Sequence, residues 1–154
     1  MVLRVLHFVR LPLLMLLIFA VGRFLLGLNG VPYAPRGNAI FSIVGLTIVS
    51  TIYWGALSKR VGRFTWLGTV LVGVTIGLCG QILIFLATAL SYAMGAETYF
   101  THWDALNVPE GTRVAMGEAM QRRAGGLFFG PITATVFACI GRMLSALAPA
   151  GTES

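Results

Sequence analysis

The chain has 154 residues, 57% of them hydrophobic and 10% charged, with a net charge of +6, a pI near 10.2 and a mean hydropathy of +0.87. Soluble domains carry about 25% charged residues, so this composition is built for lipid and excludes a sizeable soluble catalytic domain. The basic residues stand beside apolar runs, so the expected partner is membrane lipid, anionic on the cytoplasmic face, and not nucleic acid.

A membrane-crossing helix needs about 20 predominantly apolar residues. The first apolar run, Val2 to Leu28, is interrupted by Arg10 and Arg23 and predicts a span over roughly residues 5–28. Arg4 and Arg10 ahead of apolar sequence, followed by Ala20-Val21-Gly22, have the outline of a cleavable signal. Apolar sequence resumes after Arg23, so an uncleaved span is expected. Asn29 to Asn38 reads NGVPYAPRGN, a Gly- and Pro-rich turn that ends the helix. The second run, Ala39 to Leu57, contains no charge and predicts a span over 39–57. Ser58 to Thr65, SKRVGRFT, is a short basic hairpin. The third run, Trp66 to Ala96, is also free of charge and longer than a span requires, so it must tilt, kink or protrude.

Residues 97–126 form the one long connection. Asn107, Pro109 and Glu110 make a helix-start pattern, in which the Asn caps, the Pro suits the first turn and the Glu returns a bond. A short outer-face helix is therefore expected from about Val108 to Ala124, ending at Gly125-Gly126. The fourth run, Leu127 to Leu147, carries only Arg142. No run alternates with period two, which excludes a membrane β-barrel. The reading is all-α: a polytopic membrane protein, one domain over 1–154, folded as a four-transmembrane-helix bundle.

Basic short loops stay in the cytoplasm. Placing Lys59, Arg60 and Arg63 inside puts both termini inside, with Arg4, Arg10, Arg142 and Glu153. The outer side then holds Arg23, Arg36, Arg113, Arg122 and Arg123 with Glu97, Asp104, Glu110 and Glu118. A bacterial inner membrane is the expected location. Tyr53, Trp54 and Trp66 beside the hairpin, and Tyr33, Tyr99 and Trp103 at the opposite side, fit interfacial aromatic belts.

Helices in lipid associate through close packing and hydrogen bonds, since lipid tails are as apolar as Leu. Gly73, Gly77 and Gly80 in the third run, and Gly130, Ala134 and Ala138 in the fourth, lie at small-residue spacings that predict helix-packing seams. Thr47, Ser50, Thr51 and Trp54 share a face of the second. Gln81 needs hydrogen-bond partners in the membrane, with Thr47, Ser50 or Thr135 as candidates.

Intramembrane charge marks candidate sites. Arg10, Arg23 and Arg142, with Gln81, are the candidates for ligand or lipid contact, chiefly as anchors; Glu97 is the expected partner of Arg23. The outer connection gathers Glu97, His102, Asp104, Glu110 and Glu118. Of these His102, Asp104 and Glu97 are weak metal candidates, and no catalytic residue is assigned. His7 and His102 fall on opposite sides, which argues against joint haem ligation. Cys79 and Cys139 lie inside apolar runs without a zinc or redox spacing. Nucleotide-binding, nucleophile-elbow and zinc-protease signatures are absent, and no cofactor is implied. The expected function is a non-catalytic subunit or assembly factor of a membrane complex, with other subunits or copies of itself as partners. The alternatives are a small oligomeric transporter or channel, its polar cavity lined by Gln81, Thr88, Thr135 and an arginine, and a membrane-embedded enzyme with an outer-face site.

Overall fold

A computed structural model describes residues 1–31 and 41–147. Tyr33, Arg36, the expected start of the second span at Ala39, and Glu153 lie outside the described residues. The described residues form five α-helices: α1 (Val2–Phe8), α2 (Arg10–Leu28), α3 (Ile43–Arg60), α4 (Trp66–Ala93) and α5 (Met116–Leu147), with a single 3-10 turn at Tyr99–Thr101. Three of them, α2, α4 and α5, are long and apolar enough to cross a membrane. These three mark the chain as a membrane protein.

The first apolar run breaks at Val9, with φ −96° and ψ 10°, into α1 and α2. The cause is Pro12. It has no N–H for the Phe8 carbonyl four residues back, and its ring crowds that carbonyl. The indole N–H of Trp54, on α3, donates to the Phe8 oxygen instead, at 2.9 Å.

The helix α3 opens late. Phe41, at φ 56°, packs edge-on against Phe19 at 5.3 Å between ring centroids and lies against Gly22. Ser42 then caps the helix by accepting from the Gly45 N–H at 3.1 Å. Thr47 and Ile43, in the first turns, face Gly80, halfway along α4. Because α3 also ends in Lys59 and Arg60, its apolar stretch falls short of the other three.

The expected separate helix over Val108–Ala124 does not form. Asn107 sits at φ 54° and closes a turn, with the Val108 N–H on the Trp103 carbonyl. It therefore cannot open a helix there. The helix begins at Met116 and runs through Gly125, Gly126 and Pro131 to Leu147. Gly125-Gly126 is no terminator because Gly126 and Gly130 are places where α5 meets the Gln81 side chain of α4. Packing offsets what glycine costs a helix, about 1 kcal/mol per residue.

The seam between α4 and α5 is backbone-close. A Cβ on Gly73 would come 2.5 Å from Thr135 Cα, and one on Gly77 would meet Ala134 Cβ at 2.5 Å and Pro131 Cα at 2.9 Å. Further along the same face of α5, Gly55 of α3 lies against the Ala138 backbone, and Gly141 against Ile52. In lipid such close approach supplies the dispersion contacts that hold helices together. Val5, Val9, Leu16, Val72, Ile76 and Phe100, all essentially inaccessible, fill the space between α1, α2, α4 and the turn.

Candidate functional site

Polar chemistry collects at the two ends of the bundle. At the hairpin end, residues 61–65 join α3 to α4, and Arg142 enters from α5 with only 8% of its surface exposed. Its Nη1 donates to Thr69 Oγ1 at 2.6 Å, to the Phe64 carbonyl at 2.9 Å and to the Thr65 carbonyl at 3.2 Å, with Ser58 Oγ at 3.5 Å. Ser58 and Thr69 share a 2.7 Å bond, and the guanidinium carbon lies 4.8 Å from the Trp66 ring centroid. Arg142 thus binds the hairpin rather than reaching for lipid, and the cluster is a clasp joining α3, α4 and α5. Arg60 adds a bond to the Ser145 carbonyl at 2.7 Å. Arg4 lies 5.5 Å over the Phe64 ring. Arg10 and His7 are exposed near this end.

The opposite end is built by two helix stops. At the ends of α2 and α4, Gly30 and Gly95 adopt φ 69° and 61°. The next N–H returns five residues, Val31 to the Leu26 carbonyl and Ala96 to the Ser91 carbonyl. This is the Schellman closure, which needs a left-handed residue and therefore favours glycine. Thr98 then caps the short turn and bonds Ser91 Oγ at 2.7 Å. The turn drives Phe100 fully into the core. Tyr92 donates its hydroxyl to the Val114 carbonyl at 2.8 Å, tying the end of α4 to the segment before α5.

Between these pieces lies a cavity of about 650 Å³, and Glu97, Tyr99, His102, Trp103 and Arg113 are among its lining residues. Small-molecule sites fall at about 300–1,000 Å³. Beside it, Arg23 is 8% exposed with its guanidinium carbon 4.0 Å from the Tyr99 ring centroid. Arg123 donates to the Phe100 carbonyl at 3.2 Å, and its buried Nε has no hydrogen-bond partner.

The expected contact between Arg23 and Glu97 is replaced by this stacking on Tyr99. Glu97 is exposed on the cavity. Tyr99, two residues further on, supplies the ring face that meets the guanidinium. Glu97 and His102 share the cavity, and the Asp104 N–H donates to His102 Nδ1 at 3.3 Å. Among the described residues no three of His, Cys, Asp and Glu cluster as metal ligands. Gln81 is half-buried in the groove of Gly126 and Gly130. Its expected partners are engaged elsewhere: Thr47 Oγ1 donates to the Ile43 carbonyl and Thr135 Oγ1 to the Pro131 carbonyl, both at 2.8 Å. Helical threonines commonly bond back to the carbonyl four residues earlier.

Sequence reasoning did not single out Arg113, Tyr92, Thr98 or Arg123. Arg113 entered only the charge balance, and Tyr99 only the aromatic belt. The two Gly stops, Gly30 after the first run and Gly95 at the end of the third, were the signal that could have located the cavity. Compared with known proteins, the chain matches no family model, no curated protein and no solved structure.

Proposed function

We propose that the protein is a small non-catalytic membrane subunit or assembly factor. It is built on a four-span bundle with α3 as the fourth crossing, and has both termini on the cytoplasmic side of a bacterial inner membrane. The supporting observation is how its polar and apolar surfaces are used. Several buried polar side chains of the helices are engaged within the chain: Arg142 with the hairpin, Ser91 with Thr98, and Thr88 with the Ile84 carbonyl at 2.8 Å. From Phe128 to Leu147 the outward face of α5 is largely apolar, with Phe128, Phe129, Ile132, Met143 and Leu147 between 59% and 81% exposed. A polar route across the membrane would need unengaged groups on a common path. Thr88 and Thr135 are bonded within their own helices, so the transporter reading has less support. The apolar face suits lipid or the helices of another membrane protein.

Purification in mild detergent followed by native mass spectrometry tests this reading: a stable protein partner is expected. A chain that stays alone across several mild detergents overturns it. For orientation, a cysteine replacing Arg60 should be shielded from an impermeant thiol reagent in intact cells, while one replacing Thr112 is labelled. One observation favours a second reading, an enzyme acting at the membrane face: Glu97 and His102 line one cavity. An activity lost in His102→Ala with fold intact would select it.

A further inference from the structure

We propose that the cavity at the ends of α2 and α4 binds a zwitterion bearing a phosphate and an ammonium group, the chemistry of an amine-headed phospholipid. Two opposite charges, Glu97 and Arg113, open on the same cavity of about 650 Å³. Both are exposed, and neither makes a hydrogen bond or ion pair among the described residues. They face one space without neutralising each other, as two poles of one ligand would require.

The surroundings give the poles a direction. Glu97 follows the C-terminal stop of α4, where the carbonyl end of a helix carries partial negative charge and favours a cation. Arg113 stands three residues before α5, whose N-terminal end favours an anion. The acidic residue in the first turn of α5, Glu118, is taken by Arg122 at 2.8 Å and does not compete. An ammonium at Glu97 and a phosphate at Arg113 therefore match both the side chains and the helix ends. Arginine suits this role because its planar donors pair with two phosphate oxygens.

The location favours a lipid source. The cavity lies where two apolar spans, α2 and α4, stop and polar sequence begins, the depth at which head groups sit. Trp103, Tyr92 and Tyr99 line it, and Trp and Tyr concentrate at that depth. Val31, Ala96 and Val114 offer apolar wall for the start of an acyl chain.

The experiment uses the full chain in nanodiscs holding equal phosphatidylethanolamine and phosphatidylglycerol, with retained lipid counted by native mass spectrometry. Wild type is expected to retain phosphatidylethanolamine preferentially. Glu97→Gln should erase that preference, and Arg113→Gln should lower retention of both lipids. A lost charge-assisted bond corresponds to about a tenfold change each. Both side chains are exposed, so unchanged thermal stability is the folding control. Soluble phosphoethanolamine forms the second arm. If it fails to displace the lipid, the zwitterion belongs to a membrane lipid; if it displaces it at comparable concentration, the ligand is a soluble zwitterion of the same chemistry. Equal retention of the two lipids by wild type, or retention unmoved by both substitutions, overturns the proposal. A protein partner would register as a separate mass, so this result and the accessory-subunit reading fail independently.

Discussion

Replacing Arg142 with leucine tests whether the hairpin clasp holds the bundle together. Arg142 is buried, and its Nη1 serves Thr69 Oγ1, the Phe64 carbonyl and the Thr65 carbonyl within 2.6–3.2 Å. Leucine fills part of the space but leaves these acceptors without their donor. Ser58 and Thr69 keep each other, and Ser58 also donates to the Gly55 carbonyl at 2.6 Å, so the hydroxyls are partly compensated. The Thr65 carbonyl keeps the Thr69 N–H at 3.1 Å; the Phe64 carbonyl loses its donor, and an unsatisfied buried acceptor costs about 1–3 kcal/mol. Adding the lost stacking on Trp66, about 0.5–2 kcal/mol, the expected destabilisation is about 1.5–5 kcal/mol. For a chain of this length that corresponds to a fall in Tm of roughly 3–20 °C. Thermal unfolding in one mild detergent measures it. A cycle with Thr69→Val should give a coupling above about 1 kcal/mol, because the two groups touch directly. Wild-type stability in Arg142→Leu, or strict additivity with Thr69→Val, would refute the reasoning and make Arg142 a solvated end group.

Two further substitutions probe the packing. Gly77→Leu puts a branched side chain where a single Cβ already meets Ala134 and Pro131; it should separate α4 from α5 and lower detergent stability by at least the 1–3 kcal/mol usual for overpacking, and an unchanged Tm would place that face against lipid. Trp54→Phe keeps the ring but removes the donor to the Phe8 carbonyl, which Pro12 leaves otherwise unbonded; a loss of about 1–3 kcal/mol is expected, and protease access at Val9 that stays unchanged would show that the indole does not fasten α1.

Two element ends that the sequence marked with turn chemistry are where helices stop or start: Leu28 before the Gly-rich turn and Trp66 after the hairpin. Such signals are local, so local reading recovers them. The misses have non-local causes. Pro12 was visible inside the first run, but whether a membrane helix bends smoothly or breaks depends on who takes up the freed carbonyl, and Trp54 is 46 residues away. Gly125-Gly126 reads as a stop because glycine weakens an isolated helix. It is crossed because Gln81, on another helix, needs the room. Asn107 read as a cap, yet Asn also tolerates the left-handed conformation, and the fold around Tyr92 and Val114 selects that use.

The same division explains the site. An arginine near a membrane boundary announces that a partner must exist, because charge at that depth is costly. It does not say which one. Arg23 and Arg142 each found partners on other helices: the Tyr99 ring for one, backbone carbonyls and hydroxyls for the other. Neither the ring nor these oxygens carry charge, and a search for complementary charge passes over both. What charge reasoning then leaves behind is informative. With Arg23 stacked on Tyr99, Glu97 is freed from the role expected of it, and it faces Arg113 across a space that the two Schellman stops create.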